Sequence, residues 1–142
     1  MLTYGVGART MEGNGAAVDI CSMTGDFTDP FIESQDELLN CYEGTLRTIK
    51  IAGPVNYKSI VKFVCDMAQM DFGTAQDASS IRNYYVLTIL MAGLIDDLED
   101  SVNEILRAAD LPISVQIIKI GGVSESENDF GTLINRTRDI FQ

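Results

Sequence analysis

Two nearly continuous apolar stretches organise the chain. Tyr84 to Leu90 is YYVLTIL, interrupted only by Thr88, and Ile113 to Ile120 is ISVQIIKI. Both are rich in β-branched and aromatic residues, which predicts strands buried on both faces. Between them Leu98, Val102, Ile105, Leu106 and Ala109 recur at helical intervals, Asp96 and Glu99 have the spacing of a capping box, and Pro112 ends the helix. A strand, a helix and a second strand make a crossover unit, so the two strands are expected to be parallel neighbours. Ligands of such sheets bind beyond the carboxyl ends of the strands. Ala92, Gly93 and Gly121 therefore fall on the rim of a candidate site.

The remaining pattern is more local. Leu2 to Val6 and Ala17 to Met23 predict a hairpin about the Gly13-Asn14-Gly15 turn, and Thr24 to Ile32, with Gly25 and Pro30, predicts a loop. Ser34 and Glu37 form a capping box ahead of Leu38, Leu39, Tyr42, Leu46 and Ile49, which predicts a helix broken at Ala52-Gly53-Pro54. Asn56 is placed to cap a second helix, with Ile60, Val61, Val64, Met67 and Ala68 on its apolar face and Lys58, Lys62 and Asp66 pointing away. Asp71 to Asn83 is polar and predicts a surface loop. Beyond Gly121-Gly122 the pattern is weak, with a short helix around Phe130 to Ile134 and a last strand over Asp139 to Gln142. Residues 1–142 suit one domain.

Charge narrows the function. Ten basic and 21 acidic residues give a formal charge of −11, which repels phosphate backbones and anionic lipid, so nucleic acid is not an expected partner. No apolar run approaches the length of a membrane span, and direct insertion is not expected. The chain has no histidine, and Cys21, Cys41 and Cys65 lack CxxC spacing, which argues against zinc. Cys41 and Cys65 instead lie among apolar helical neighbours, where cysteine acts as a small hydrophobe. No secretory leader is evident, and a cytoplasmic setting is expected. Asp96, Asp97, Glu99 and Asp100 make the densest carboxylate cluster. Calcium or magnesium accepts such ligands, but four acids at a helix start also complement its dipole, and capping is the simpler account. The glycines at Gly5, Gly7 and Gly121-Gly122 match neither GxGxxG nor a phosphate loop, and Asp71-Phe72-Gly73 lacks the rest of a kinase signature. No catalytic residue is identified, and the chain is expected not to be an enzyme.

YGVGAR (4–9), CYEGTLRTIKIAGPVNYKSIV (41–61), YYVLTILMAGLIDDLED (84–100), LPISVQIIKIGG (111–122) and RDIFQ (138–142) together resemble the copine family, in that family's order. Specifically they resemble its von Willebrand factor A-type domain. The resemblance implies an α/β fold with a doubly wound, mostly parallel sheet flanked by helices and a metal-ion-dependent adhesion site at the carboxyl edge of the sheet. The family's metal-binding threonine and aspartate correspond here to Val55 and Ala92, neither of which can ligate. The ligand motif after the first strand has no counterpart, because the chain opens at what resembles the second strand. The expectation is a degenerate site holding no cofactor, where the family uses magnesium, manganese or calcium. Gly53, Asn56, Gly93, Asp97 and Gly121 remain as a candidate interaction rim.

Without a first strand, the strand at Tyr84 to Leu90 would carry unpaired backbone groups. The sheet could close up, another chain could supply a strand, or the sequence could be a fragment of a longer polypeptide; a fragment or a homodimer through the sheet edge is favoured. The resemblance implies a non-enzymatic protein-interaction module with an unidentified protein partner. Copines bind phospholipid in a calcium-dependent way through C2 domains, which this chain does not contain. The alternative is the substrate-recruiting copine-like domain of a RING-type ubiquitin ligase, whose zinc-binding cysteine and histidine cluster is absent from this sequence.

Overall fold

The structure, a computed structural model, describes residues 1–10, 17–51, 53, 55–73, 83–92, 95–121, 131 and 135. The chain divides into two compact units, Met1–Val55 and Asn56–Gln142.

In the first unit β1 (Tyr4–Thr10) pairs antiparallel with β2 (Ala17–Ser22), as a hairpin requires. β1 begins two residues later and ends four residues later than its apolar run suggests, β2 ends one residue earlier, and the Gly13-Asn14-Gly15 turn lies outside the described residues. The predicted loop holds its shape through hydroxyls. Thr24 donates to the carbonyls of Asp26 and Asp29, and Asp26 accepts from the backbone and hydroxyl of Thr28. Helix α1 (Gln35–Thr48) starts at the predicted cap, where Ser34 Oγ accepts from Glu37 N at 3.1 Å and Glu37 Oε2 accepts from Glu33 N at 2.9 Å.

Two expectations for this unit fail. Ile49 does not continue the helical stripe, because Ile49–Ile51 form β3, antiparallel to β1, giving the strand order β2-β1-β3. Ile49-Lys50-Ile51 satisfies both a helical and an alternating pattern, and the distant partner β1 selects the strand. The apolar face of α1 is not buried: Leu39, Tyr42 and Leu46 are exposed and Cys41 is half-buried. The buried side chains described here include Ala8 and Ile32.

The second unit contains the crossover. β4 (Tyr85–Met91) and β5 (Ile113–Lys119) are parallel neighbours in unbroken register from Tyr85↔Ile113 to Met91↔Lys119, joined through α3 (Leu98–Ala108). α2 (Lys58–Gly73) and α3 pack against each other and against this ribbon. Tyr57, Ile60, Val61, Cys65 and Ala68 from the α2 segment meet Leu98, Val102 and Ala108 of α3, with Ile89, Met91 and Ile95, as the core. Val64 and Met67 are only half-buried, and Cys65 takes the central place on that face. Ala108 rather than Ala109 closes the α3 stripe.

Burial of the ribbon on both faces is not observed. Leu87, Ile89 and Met91 face the helices, whereas Val86 (59% exposed), Leu90 (63%) and Ile118 (48%) share an open face with Thr88 and Gln116. Thr88 and Gln116, paired across the ribbon, were the polar sign of that face. Asp71 to Gly73 are the last turn of α2 instead of a loop. Asp71 there accepts from Tyr85 Oη at 2.6 Å and Asn83 Nδ2 at 2.7 Å, which holds its carboxyl below the ordinary 3.8. The expected features at 74–82, 130–134 and 139–142 fall almost wholly outside the described residues. The α/β class therefore holds, in the form of a three-stranded antiparallel sheet and a parallel pair among the described residues, not a single doubly wound sheet.

A polar network lines the α2–α3 seam. Asp66 accepts from Lys62 Nζ at 2.7 Å and Arg107 Nη2 at 2.6 Å, and Arg107 also reaches Glu104 at 3.2 Å. The hydrogen bond from Lys62, then that from Arg107, holds the Asp66 carboxyl below 3.8. A carboxyl depressed in the folded state contributes stability that is complete above its unfolded value and is lost as pH falls through the folded one. The urea midpoint is thus expected to drop as pH goes from about 5 to about 2. In Asp66→Asn the drop should be shallower, by a small margin because the pair is nearly half exposed. Equal slopes for both proteins would refute the assignment.

Candidate functional site

The rim positions separate between the units. Gly53, exposed, and Val55, half-buried, belong to the first unit, and Gly93 lies outside the described residues. Asn56, Ala92, Asp97 and Gly121 belong to the second, where the chain brings them to one end. Ala92 follows β4 and Gly121 follows β5. The two strand ends are held side by side by the bond from Ile120 N to Met91 O at 2.8 Å. Gly121 has φ +84°, a left-handed conformation that glycine adopts without strain, so the chain can turn immediately after β5.

Asp97 organises the rest of this end. It is the N-cap residue of α3, but its side chain caps none of its own helix's backbone amides. The carboxylate instead reaches the start of α2. Oδ1 accepts from Tyr57 N at 3.0 Å and Oδ2 from Lys58 N at 2.7 Å, so the free amides of one helix are satisfied by the cap residue of another. Ser101 Oγ, buried, donates to Oδ1 at 3.0 Å, and Ser101 N donates to Asp97 O at 2.8 Å. Three residues after Asp97, in α3's first turn, Asp100 accepts from Lys58 Nζ at 2.7 Å and raises that ammonium's pKa. Burial, and then the Asp97 charge, pushes the Tyr57 phenol up.

This arrangement corrects two sequence expectations. Asp96 and Glu99 do not form a capping box on α3, since the cap is Asp97 and its oxygens accept from none of α3's backbone amides. Nor is Asn56 the cap of α2: it is exposed, and the carboxylate meeting the first amides comes from Asp97. The separation of 40 residues between Tyr57 and Asp97 explains why no local pattern announced the bond. Ser101 and Tyr57 were missed for the same reason. A buried serine one turn after an acidic N-cap is the one visible sign.

The chemistry available here is limited. Ala92 is exposed and offers only its backbone, and both oxygens of Asp97 already accept hydrogen bonds. Among the described residues no three His, Cys, Asp or Glu side chains converge as a metal site would need. No described helix is long and apolar enough to cross a membrane.

Fold and site together define an α/β protein whose ribbon ends in a small-residue rim buttressed by a carboxylate linking two helix starts. The family model for copines matches residues 1–135, and the chain belongs to the copine family. It is 30% identical over 125 residues to Protein BONZAI 2 of Arabidopsis thaliana and 28% identical over 125 residues to Protein BONZAI 1 of the same plant. In each case the alignment covers 87% of this chain and 20% of the relative, so the chain spans about a fifth of the length of these curated relatives.

Proposed function

We propose that the chain is a non-enzymatic protein-interaction module of a copine-type protein, acting in the cytoplasm and recognising a protein partner without a bound divalent cation. The observation that carries this reading is the pairing of Ala92 at the end of β4 with an Asp97 whose carboxylate is committed to Tyr57, Lys58 and Ser101. Hard cations need several oxygen ligands, preferably carboxylates. Among the described rim positions only Asp97 carries a carboxylate and both its oxygens are engaged, which is what a degenerate adhesion site means chemically. The crossover of β4, α3 and β5, together with family membership, supports a von Willebrand factor A-like, doubly wound arrangement as the architecture behind the module. Calcium-dependent phospholipid binding would belong to C2 domains elsewhere in a longer protein.

Calorimetric titration with magnesium and with manganese tests the cation part. No stoichiometric heat is expected at micromolar concentrations, and a saturable site of that affinity would overturn it. The recognition part is tested by Ala92→Arg, which places a bulky charge on an exposed rim position. A partner that binds the intact chain is expected to be lost with the variant, while its fold, followed by circular dichroism, is unchanged.

A further inference from the structure

The loop between β2 and α1 is tied down along its length, yet it turns its two aromatic rings outward. Thr3 clasps both of its ends, since Thr3 N donates to Pro30 O and Thr3 O accepts from Met23 N, each at 3.1 Å. Inside the loop Thr24 Oγ1 lies 3.0 Å from Asp26 O and 2.8 Å from Asp29 O, and Asp26 Oδ1 accepts from Thr28 N at 2.8 Å and Thr28 Oγ1 at 2.7 Å. Pro30 and Ile32 are buried, so the segment packs on its inner side. Phe27 (49% exposed) and Phe31 (53%) are left facing out. The Phe27 ring stands against Tyr4, with centroids 5.6 Å apart and planes tilted by 51°. Leu2, on the same side of the extended chain as Tyr4, meets Phe31 in an isolated antiparallel bridge.

Charge says what such rings can receive. From Thr24 to Leu46 the chain carries exposed Asp26, Asp29, Glu33, Asp36, Glu37 and Glu43 and no lysine or arginine. A surface of that sign repels anionic lipid and nucleic acid and attracts cationic protein segments. We propose that the Phe27 loop is a docking surface for a lysine- or arginine-rich segment of another protein, with apolar side chains spaced between its charges. The apolar side chains cover Phe27 and Phe31, and the cations meet Asp26 and Asp29 on either side of the Phe27 ring.

The order of the loop is what makes this surface an anchor. A ring already held against Tyr4, on a backbone already fixed by hydrogen bonds, gives up little freedom when it is covered, so more of the apolar burial survives as affinity. The carboxylates steer the encounter and set which partners are admitted, while the rings supply the grip. A guanidinium stacked over the Phe27 face would add a cation–π contact to the ion pair. The inference stands apart from the rim reading, because Ala92 belongs to the second unit and Phe27 to the first.

The probe is a short labelled peptide in which pairs of arginines alternate with single leucines, titrated with the intact chain and read by fluorescence anisotropy. Saturable binding that weakens with added salt is expected. Phe27→Ser should weaken it about tenfold, the loss of one aromatic anchor. Asp29→Asn, which removes none of the loop bonds given above, should weaken it roughly two- to threefold and flatten the salt dependence. Asp110→Asn removes the same charge from an exposed position of the second unit and should change nothing. A peptide with serine in place of leucine should bind as weakly to the parent as the leucine peptide binds to Phe27→Ser. No binding of the leucine peptide overturns the proposal. So does equal binding by Phe27→Ser or by the serine peptide, or an Asp110→Asn that weakens binding as much as Asp29→Asn, since each would reduce the effect to net charge. Capture of phosphatidylserine vesicles through Phe27 in preference to the peptide would overturn the choice of a protein segment. Should Phe27→Ser not fold, amide resonances of the unaltered chain decide: the leucine peptide must shift those of Asp26 to Thr28, and unmoved resonances there refute the docking.

Discussion

Replacing Asp97 with alanine is expected to lower the unfolding free energy by about 2–4 kcal/mol, measured by urea unfolding followed by circular dichroism. The magnitude follows from what the carboxylate holds. Tyr57 N and Lys58 N, the first donors of α2, and the buried Ser101 hydroxyl all lose their acceptor at once. Losing a helix cap alone costs about 1 kcal/mol, and leaving a buried donor unsatisfied costs a further 1–3 kcal/mol. Asp97→Asn should fall between the two, because its amide retains one acceptor oxygen but turns an NH2 group toward either Lys58 N or Tyr57 N. Ser101→Ala should cost less than Asp97→Ala, and less again when combined with it, since the hydroxyl's partner is then already gone. An Asp97→Ala protein as stable as the parent would show that water replaces the carboxylate and that the two helix starts are not coupled through it.

The second large effect is expected at Ile95. It is 1% exposed, in the connection that carries the chain from β4 into α3, two residues before the carboxylate. Ile95→Ala removes three carbons from a packed site and should cost about 2–4 kcal/mol, with the urea m-value unchanged; Ile95→Val should cost about 1 kcal/mol. A cost below that of the valine variant would mean the neighbours collapse into the space. Because Ile95 and Asp97 share one short connection, their double variant is expected to be less destabilised than the sum of the singles. Strict additivity would indicate that packing and hydrogen bonding at this junction act independently.

Periodicity located the regular elements well where one local force dominated. The Ser34–Glu37 box marked the start of α1, and the apolar runs marked β4, β5 and their parallel relation. It failed where a distant partner decided. Ile49 fits the stripe of α1 as well as it fits an alternating strand, and only the presence of β1 settles the choice. The open face of the ribbon was written in Thr88 and Gln116, but a single polar residue in an apolar run also occurs in buried strands. At the candidate site, Ala92 and Gly121 were legible as strand ends, because their place depends on the β4–β5 crossover alone. The role of Asp97 was not legible, since hydrogen bonds to residues about forty positions away leave no trace in spacing. Carboxylates clustered at a helix start look alike whether they serve that helix or its neighbour.

The bond from Asp97 to the start of α2 also constrains the order in which the chain folds. The first turn of α2 has its acceptor on a residue beyond β4, so that turn lacks its protein cap until the later strand has been laid down and α3 has begun. Closing so long a loop carries an entropic cost before any contact repays it. As an isolated segment α2 would therefore be without that cap, a loss of about 1 kcal/mol at its N-terminal end. Cys65, whose thiol donates to Glu104 O of α3, is likewise buried against that later helix, so α2 takes its cap and part of its packing from the same downstream element.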